Sequence, residues 1–595
     1  MPNRYTPIKE YALIGDGRTT ALVARHGSID WLCLPNADSP SVFGALLDAE
    51  RGGRFELVPD IPYEVRRRYL PATNVLETTF MTDRGVVRIT DAFTLPLSGL
   101  APFRELTRRV EGLSGCVPLR WNVTPRFGYA GWPTRIERRR GIPVASARGD
   151  AVALCSWEAG VPHCEDTRIS GSFDLHRGTR ALFVLAAAHQ EPLVFPSKGE
   201  AEERLDLTVA FWNRWSNELT YDGPWRESVV RSALALKLLC YSPSGAIVAA
   251  PTTSLPEAIG GERNWDYRFC WIRDAAFTLH ALVRLGCAAE AHAFFWWFLH
   301  ATQLTRPRAQ VLYRLDGGDR TPESSLTLEG YRRSTPVRVG NAAAKQLQLD
   351  LYGDLFETAY QFVEGGQTLD AETARRLARS ADLVCQIWHQ PDLSIWEVRM
   401  EPQHFIHSKV MCWVALDRAI RLVSAGQLPV SHVDRWRREA AAIRDFVERN
   451  GWSDRQHSYV RFVGSDEVDA SLLLLPIMGY CDPRSPQCVG TIEAIRRQLG
   501  RGPFVYRYLG EDGLVGGEGV FLTCSFWLVQ ALCLAGRLSE AGGLMEQLLG
   551  LANDVGLYAE ELDPRSREFL GNFPQALVHL ALIGAAVALS EGTER

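Results

Sequence analysis

Glu397, in Ser-Ile-Trp-Glu-Val-Arg (394–399), and Glu560, in Leu-Tyr-Ala-Glu-Glu-Leu-Asp-Pro (557–564), are the residues whose type and setting most suggest chemistry. Two carboxyls, one beside a large aromatic, suit acid/base hydrolysis of a glycosidic bond, which needs one protonated acid and one ionised base in the same pocket. Trp396 offers an apolar wall that would raise a carboxyl pKa, and Arg399 a charge partner or substrate clamp. Arg273 and Asp274, after Trp265 and Trp271, read either as a helix-end ion pair or as hydrogen-bonding groups for sugar hydroxyls. Tryptophans number 17, and those in clefts fit the apolar faces of sugar rings, whereas Trp296 and Trp297 fall inside a helical pattern and read as core. The two glutamates are far apart in sequence, so the fold has to bring them together.

Before about residue 200 the chain is a series of short β-branched and aromatic segments bounded by turn residues: 85–90, 119–123, 151–154, 168–173 and 181–185. That pattern predicts an antiparallel β-sandwich over 1–200. Residues 201–224 read as a helical linker, broken by Asp222, Gly223 and Pro224. From 225 to 595 the pattern is helical. Moderately amphipathic segments (226–241, 289–304, 375–390, 435–452, 489–500, 539–553) alternate with more uniformly apolar ones (271–286, 341–363, 407–425, 469–481, 522–536, 571–590). Six such alternations predict an (α/α)6 barrel, with the apolar set inside and the amphipathic set outside. An open solenoid would repeat more regularly.

In such a barrel every connection from an outer to the next inner helix lies at one end. The unusual segments are in those connections: 260–268, Arg338 to Asn341, the Glu397 loop, Gly516 to Gly519 and the Glu560 loop. They are expected to converge on one pocket, as loops on a rigid scaffold commonly do.

Composition excludes other classes. Hydrophobic residues make up 46% and charged residues 23%, with a net charge of −5, which gives no electrostatic reason to expect nucleic acid. The run Arg138 to Arg140 reads as solvated surface. The 13 cysteines show no Cys-x-x-Cys spacing, and Cys240, Cys412 and Cys533 sit in apolar helical stretches as small core residues. A reducing cytoplasm suits them. Residues 580–589 are too short an apolar run to span a bilayer, and the N-terminus has no signal-like apolar stretch. No His/Cys/Asp cluster has ligand spacing, so neither metal nor cofactor is expected, and His404 and His407 read as structural. Oligomeric state is not legible.

The motifs Tyr11 to Thr19, Gly27 to Pro35, Asn264 to Arg268 with Trp271 to Asp274, and Asn572 to Ala576 resemble glycoside hydrolase family 15, the glucoamylase and trehalase family, over almost the whole chain. The resemblance implies a β-sandwich joined to an (α/α)6 barrel, and inversion at the anomeric carbon of an α-glucoside. It implies Glu397 as general acid and Glu560 as general base, the latter preferred over the adjacent Glu561 because the family pattern puts the base first. Tyr267, Trp271, Arg273 and Asp274 match residues that hold the terminal glucose, with Trp265, Trp396 and Arg338 as further binding candidates. An inverting pair needs a gap of roughly 6.5–9.5 Å for its water.

An α-glucan or malto/isomalto-oligosaccharide hydrolase is the first expectation and a trehalase the second. Loops 311–335 and 505–520 are expected to receive the second sugar. An inactive sugar-binding protein would be expected to lack one of the glutamates, and a phosphorolytic enzyme would not need Glu560.

Overall fold

The computed structural model describes residues 4–95, 104–303 and 308–594. The alternating segments before residue 200 fall in the strands Gly85–Phe93, Glu105–Val123, Asp150–Trp157, Arg168–His176 and Arg180–His189. Every described pairing is antiparallel. The long strand Glu105–Val123 serves two sheets: its first half pairs with Gly85–Phe93 and Arg180–His189, its second with Phe55–Pro59 and Arg168–His176. Phe183 of one sheet meets Phe55 and Trp121 of the other at ring distances of 5.9 and 5.4 Å, filling the space between the layers.

Helix α1 (Lys198–Asn217) follows, started by a capping box in which Ser197 and Glu200 satisfy each other's backbone N–H groups. It reaches from the sandwich, where Arg204 pairs with Glu105 at 2.8 Å, to the helical region, where Trp215 donates to Glu290 at 2.8 Å.

The helical region contains α2 (Arg226–Leu239), α3 (Asp274–Arg284), α4 (Ala288–Gln303), α5 (Leu351–Glu364), α6 (Ala371–Ile387) and α7 (Ile406–Ser424). It continues with α8 (Val433–Asn450), α9 (Leu474–Ile477, after a 3-10 turn Ala470–Leu473), α10 (Pro486–Leu499), α11 (Leu522–Leu534), α12 (Leu538–Leu549) and α13 (Ala576–Glu594). Helices α3, α5, α7, α9, α11 and α13 touch in that order, and α13 closes back on α3. This inner ring is the apolar set. All residues of α11 from Leu522 to Cys533 are buried, whereas outer α8 buries only Val433, Trp436, Ala440, Ile443 and Val447, one stripe at helical spacing. The (α/α)6 barrel is thus the observed fold.

Four inner helices begin later than their apolar patterns. Cys270–Trp271 is a short strand against Leu312–Tyr313, residues 342–345 are a 3-10 turn, 470–473 another, and 571–575 are non-helical chain before α13. Apolar character there reflects buried loops at the barrel end, which periodicity does not distinguish from helix. Residue 304, the last of the segment expected at 289–304, lies outside the described residues.

Helix α13 is long and apolar enough to cross a membrane by length and composition, with a mean hydropathy of 1.6 over 576–593. It packs instead against α2, α3, α11 and α12 as an inner helix. Cys240, Cys412 and Cys533 are buried free thiols, as their settings imply, whereas Cys481 and Cys488 form a disulfide that their spacing did not suggest.

The sandwich docks beneath the loops of one barrel end. Trp31 donates to the Pro251 carbonyl at 2.8 Å, Arg67 to Asp554 at 2.9 Å, and Arg268 to the Ser39 carbonyl at 2.8 Å.

Candidate active site

Loops at that end line a narrow cleft that opens to solvent. Both Glu397 and Glu560 line it, with Glu257, Arg263, Trp265, Tyr267, Arg273, Trp396, Arg399, Arg507, Tyr508, Leu514, Phe521 and Gln575. Of the five connections singled out in the sequence, 260–268 and the Glu397 and Glu560 loops line the cleft, whereas 338–341 and 516–519 contribute no lining residue.

Glu397 is presented by a strained loop. Its own φ is 58° and that of Ser394 is 65°, both in the left-handed region that non-glycine residues occupy only when surroundings enforce it. The enforcing contacts are visible. Arg273 Nη1 donates to the Ile395 carbonyl at 2.9 Å, Gln346 Nε2 to the carbonyls of Glu397 and Val398 at 3.3 Å each, and Arg399 N to the Asp512 carbonyl at 2.7 Å. The Glu397 carboxylate accepts from Trp271 Nε1 at 2.5 Å and faces Arg273 Nη1 at 3.5 Å. Burial pushes its pKa up, opposed by Arg273, the Trp271 hydrogen bond and Arg399.

Glu560 is 1% exposed. It accepts from the Tyr267 hydroxyl at 2.6 Å and from Asn572 N at 3.2 Å. Gly571, with φ 70°, passes so close that a Cβ there would lie 2.4 Å from Glu560 Oε2, so a side chain at 571 would displace the carboxylate. Burial raises the pKa of Glu560, while Arg507, the Tyr267 hydroxyl and Asn572 N pull it down.

One connected path spans the two carboxyls. Tyr267 holds Glu560, Trp271 holds Glu397, and the two rings meet edge to face at 5.2 Å. This aromatic pair links the two carboxyls through packed side chains.

Removing the phenol, Tyr267→Phe, takes away a donor that favours ionised Glu560. The expected result is an acid limb of the kcat/KM profile displaced to higher pH and a kcat about tenfold lower, the worth of one hydrogen bond to a charged group. An unchanged pH profile would show that the bond does not tune Glu560.

The remaining sequence candidates divide. Trp265 is on the wall, its Nε1 donating to Glu257 at 3.1 Å, with the guanidiniums of Arg338 and Arg399 over its ring at 4.5 and 5.5 Å. Arg338 is outside the lining and buttresses Trp265, donating to the Glu262 and Asn264 carbonyls at 2.7 and 3.1 Å. Asp274 takes the Arg273 Nε at 2.9 Å, and Trp271, at 1% exposure, spends its N–H on Glu397. These three stand behind the wall. Trp396 donates to Asp469 at 2.8 Å and packs on Trp527 and Phe521, so the tryptophan in polar contact with Glu397 is Trp271 and not its sequence neighbour. His407 is buried with burial depressing its pKa to about 3, a structural setting, and His404 is likewise away from the cavity lining.

The loop 505–520 lines the cavity through Arg507, Tyr508 and Leu514, whereas no residue of 311–335 does. That segment spends its polar groups on the sandwich: Arg314 pairs with Asp38 at 2.8 Å, the Thr327 carbonyl accepts from Arg51 at 2.8 Å, and Glu329 N donates to Asp48 at 3.2 Å. Among residues the sequence reading missed, Glu257 had no signal, being one carboxylate on a short strand end. Arg507 lay within a loop already singled out.

Residues 223–587 match the family model of glycosyl hydrolases family 15, and residues 2–162 match that of the trehalase-like N-terminal region. A trehalase of Thermoplasma volcanium is 37% identical over 593 residues, covering 99% of this chain and 94% of the relative. A trehalase of Mycobacterium tuberculosis is 38% identical over 638 residues, covering 100% and 91%. Among solved structures, a bacterial glucoamylase complexed with acarbose aligns with a TM-score of 0.70 at 12% identity, covering 99% of this chain and 94% of that one, a likeness of fold.

Proposed function

Because the chain belongs to family 15 of the glycosyl hydrolases, and so is a glycoside hydrolase, we propose that it is an inverting trehalase that cleaves α,α-trehalose to two glucoses. The observation that carries this reading is the similarity to trehalases along nearly the whole of both chains. It supports the second expectation from the sequence over the first. The α-glucan reading has the glucoamylase fold behind it, which is shared by both.

In the proposed reaction Glu397 gives its proton to the glycosidic oxygen as the C1–O bond breaks. Glu560 takes a proton from the water whose oxygen bonds to C1 from the opposite face. Burial favours the proton-bearing form of Glu397 before the step. Arg507, Tyr267 and Asn572 support the ionised form of Glu560. Tyr267 and Arg273 suit the glucose that reacts; Trp265, Arg399, Tyr508 and Leu514 suit the departing one, with an aromatic face and a guanidinium for its hydroxyls.

Glucose release from trehalose, maltose and isomaltose, compared side by side, tests the substrate. The expected result is a kcat/KM for trehalose higher by about a hundredfold or more, since a site built to hydrogen-bond one partner sugar rejects others strongly. Preference for maltose or isomaltose would return the α-glucan reading. Proton NMR at early times tests the stereochemistry: inversion at one C1 of an α,α-linkage releases one β-glucose and one α-glucose, whereas retention gives only the α form.

A further inference from the structure

Glu561, next to the proposed base, points to the other side of the short strand Glu561–Leu562 and into a buried group of charges around Arg507. Arg507 Nη2 faces Glu257 Oε2 at 3.1 Å, Glu561 Oε1 at 3.1 Å and Glu518 Oε2 still closer. A guanidinium nitrogen of this kind has two hydrogens, and three carboxyl oxygens surround it. The oxygen left over is Glu561 Oε1, which makes no hydrogen bond in the structure, although Glu561 Oε2 accepts from Gly519 N at 2.7 Å. Glu561 is 0% exposed, so bulk solvent does not reach that atom.

The charges do not balance if all the carboxyls are ionised. Glu257, Glu518 and Glu561 place oxygens within 4.8 Å of one another, close enough to act as cation ligands, and the cation they surround is Arg507. The second guanidinium, Arg263, is occupied by Asp512 at 2.7 and 3.1 Å and reaches only Glu518, at 3.2 Å. Glu560 lies on the near side, and Tyr267, Tyr508 and Cys524 complete the titratable groups around the cluster. Carboxyls packed this closely away from water do not all ionise; one keeps a proton and shares it.

We propose that Glu561 is a positioning residue for the base, a neutral carboxylic acid at working pH whose O–H is donated within the Glu257, Glu518 and Arg507 cluster. Burial, with Glu257 beside it, raises the Glu561 pKa well above the carboxylate range; Glu257 itself is pushed up to about 8, first by burial, with Arg507 opposing. The consequence for the reaction is electrostatic. A neutral Glu561 places no second negative charge against Glu560, so Glu560 ionises as the one charged member of the adjacent pair and the Glu560–Glu561 backbone stays anchored through Gly519 and Arg507.

The inference rests on Glu560 as base, and its test separates the two. Infrared spectra of wild type and Glu561→Gln at pH 7 are expected to differ by one protonated-carboxyl carbonyl band, present only in the wild type, a readout independent of turnover. Because an amide is the neutral isostere of a carboxylic acid, E561Q is expected to keep the acid limb of the kcat/KM profile at the wild-type pH. Absence of the band difference overturns the proposal. So does an acid limb displaced to lower pH, the sign of an anion removed from beside Glu560, or a folded E561Q whose kcat falls by about a hundredfold or more. Failure of E561Q to fold overturns it as well, since an ionised partner of Arg507, but not a neutral acid, is intolerant of the amide. Failure of the base reading shows separately, as full activity in Glu560→Ala.

Discussion

Glu397→Gln is expected to lower kcat on trehalose by about a thousandfold and to leave hydrolysis of α-glucosyl fluoride close to the wild-type rate. The first effect is the size of general-acid assistance, within the usual range of about 10²–10⁴. The second follows because fluoride departs without a proton, so the loss of an acid is not felt. Substrate binding is expected to persist in this variant: an amide oxygen still accepts from Trp271 Nε1, and Arg273 keeps its bonds to Asp274 and the Ile395 carbonyl. Steady-state kinetics on the two substrates check this, with KM for trehalose changed little. An equal fall on both would mean that Glu397 holds the reacting sugar and does not protonate the leaving group.

Glu560→Ala behaves oppositely, losing about 10²–10⁴ in kcat on trehalose and on the fluoride alike, because activation of water is needed whatever the leaving group. Truncation also leaves the Tyr267 hydroxyl and Asn572 N facing vacated space beside Gly571. Azide is a small nucleophile that needs no deprotonation. With the fluoride as substrate, azide attack at C1 with loss of fluoride is expected to restore turnover and give β-glucosyl azide, identified by NMR. Full activity without azide would remove Glu560 from the reaction.

Much of the frame was legible because it depends on local pattern. The stripe on α8 and the all-apolar α11 differ in the sequence as they do in space, since a helix facing solvent on one side and one enclosed on all sides need different periodicities. Ordering outer and inner helices in alternation was enough to put the Glu397 and Glu560 loops at one end. The opposite orientations of Glu560 and Glu561 likewise follow from strand geometry, once Glu561 is known to be extended.

Other features depend on partners remote in sequence. Loop 311–335 has no pattern that distinguishes a sugar-binding loop from one held by the sandwich; Asp38, Asp48 and Arg51 decide it, some 280 residues earlier in the case of Glu329 and Asp48. Trp396 and Trp271 are equally plausible neighbours of Glu397 until the loop's left-handed turn directs one indole to Asp469 and leaves the carboxylate to the other.

By itself, then, the sequence determined the two layers of architecture, the end of the barrel where the site lies, and the residue types able to act as acid and base. All of these depend on periodicity, connectivity and motif. Only the tertiary structure decided what holds each carboxyl. The contacts that do so, Tyr267 to Glu560 across 293 residues and Trp271 to Glu397 across 126, exist only after the ring has closed, and the burial that shifts both carboxyls comes from the packing of the whole barrel end.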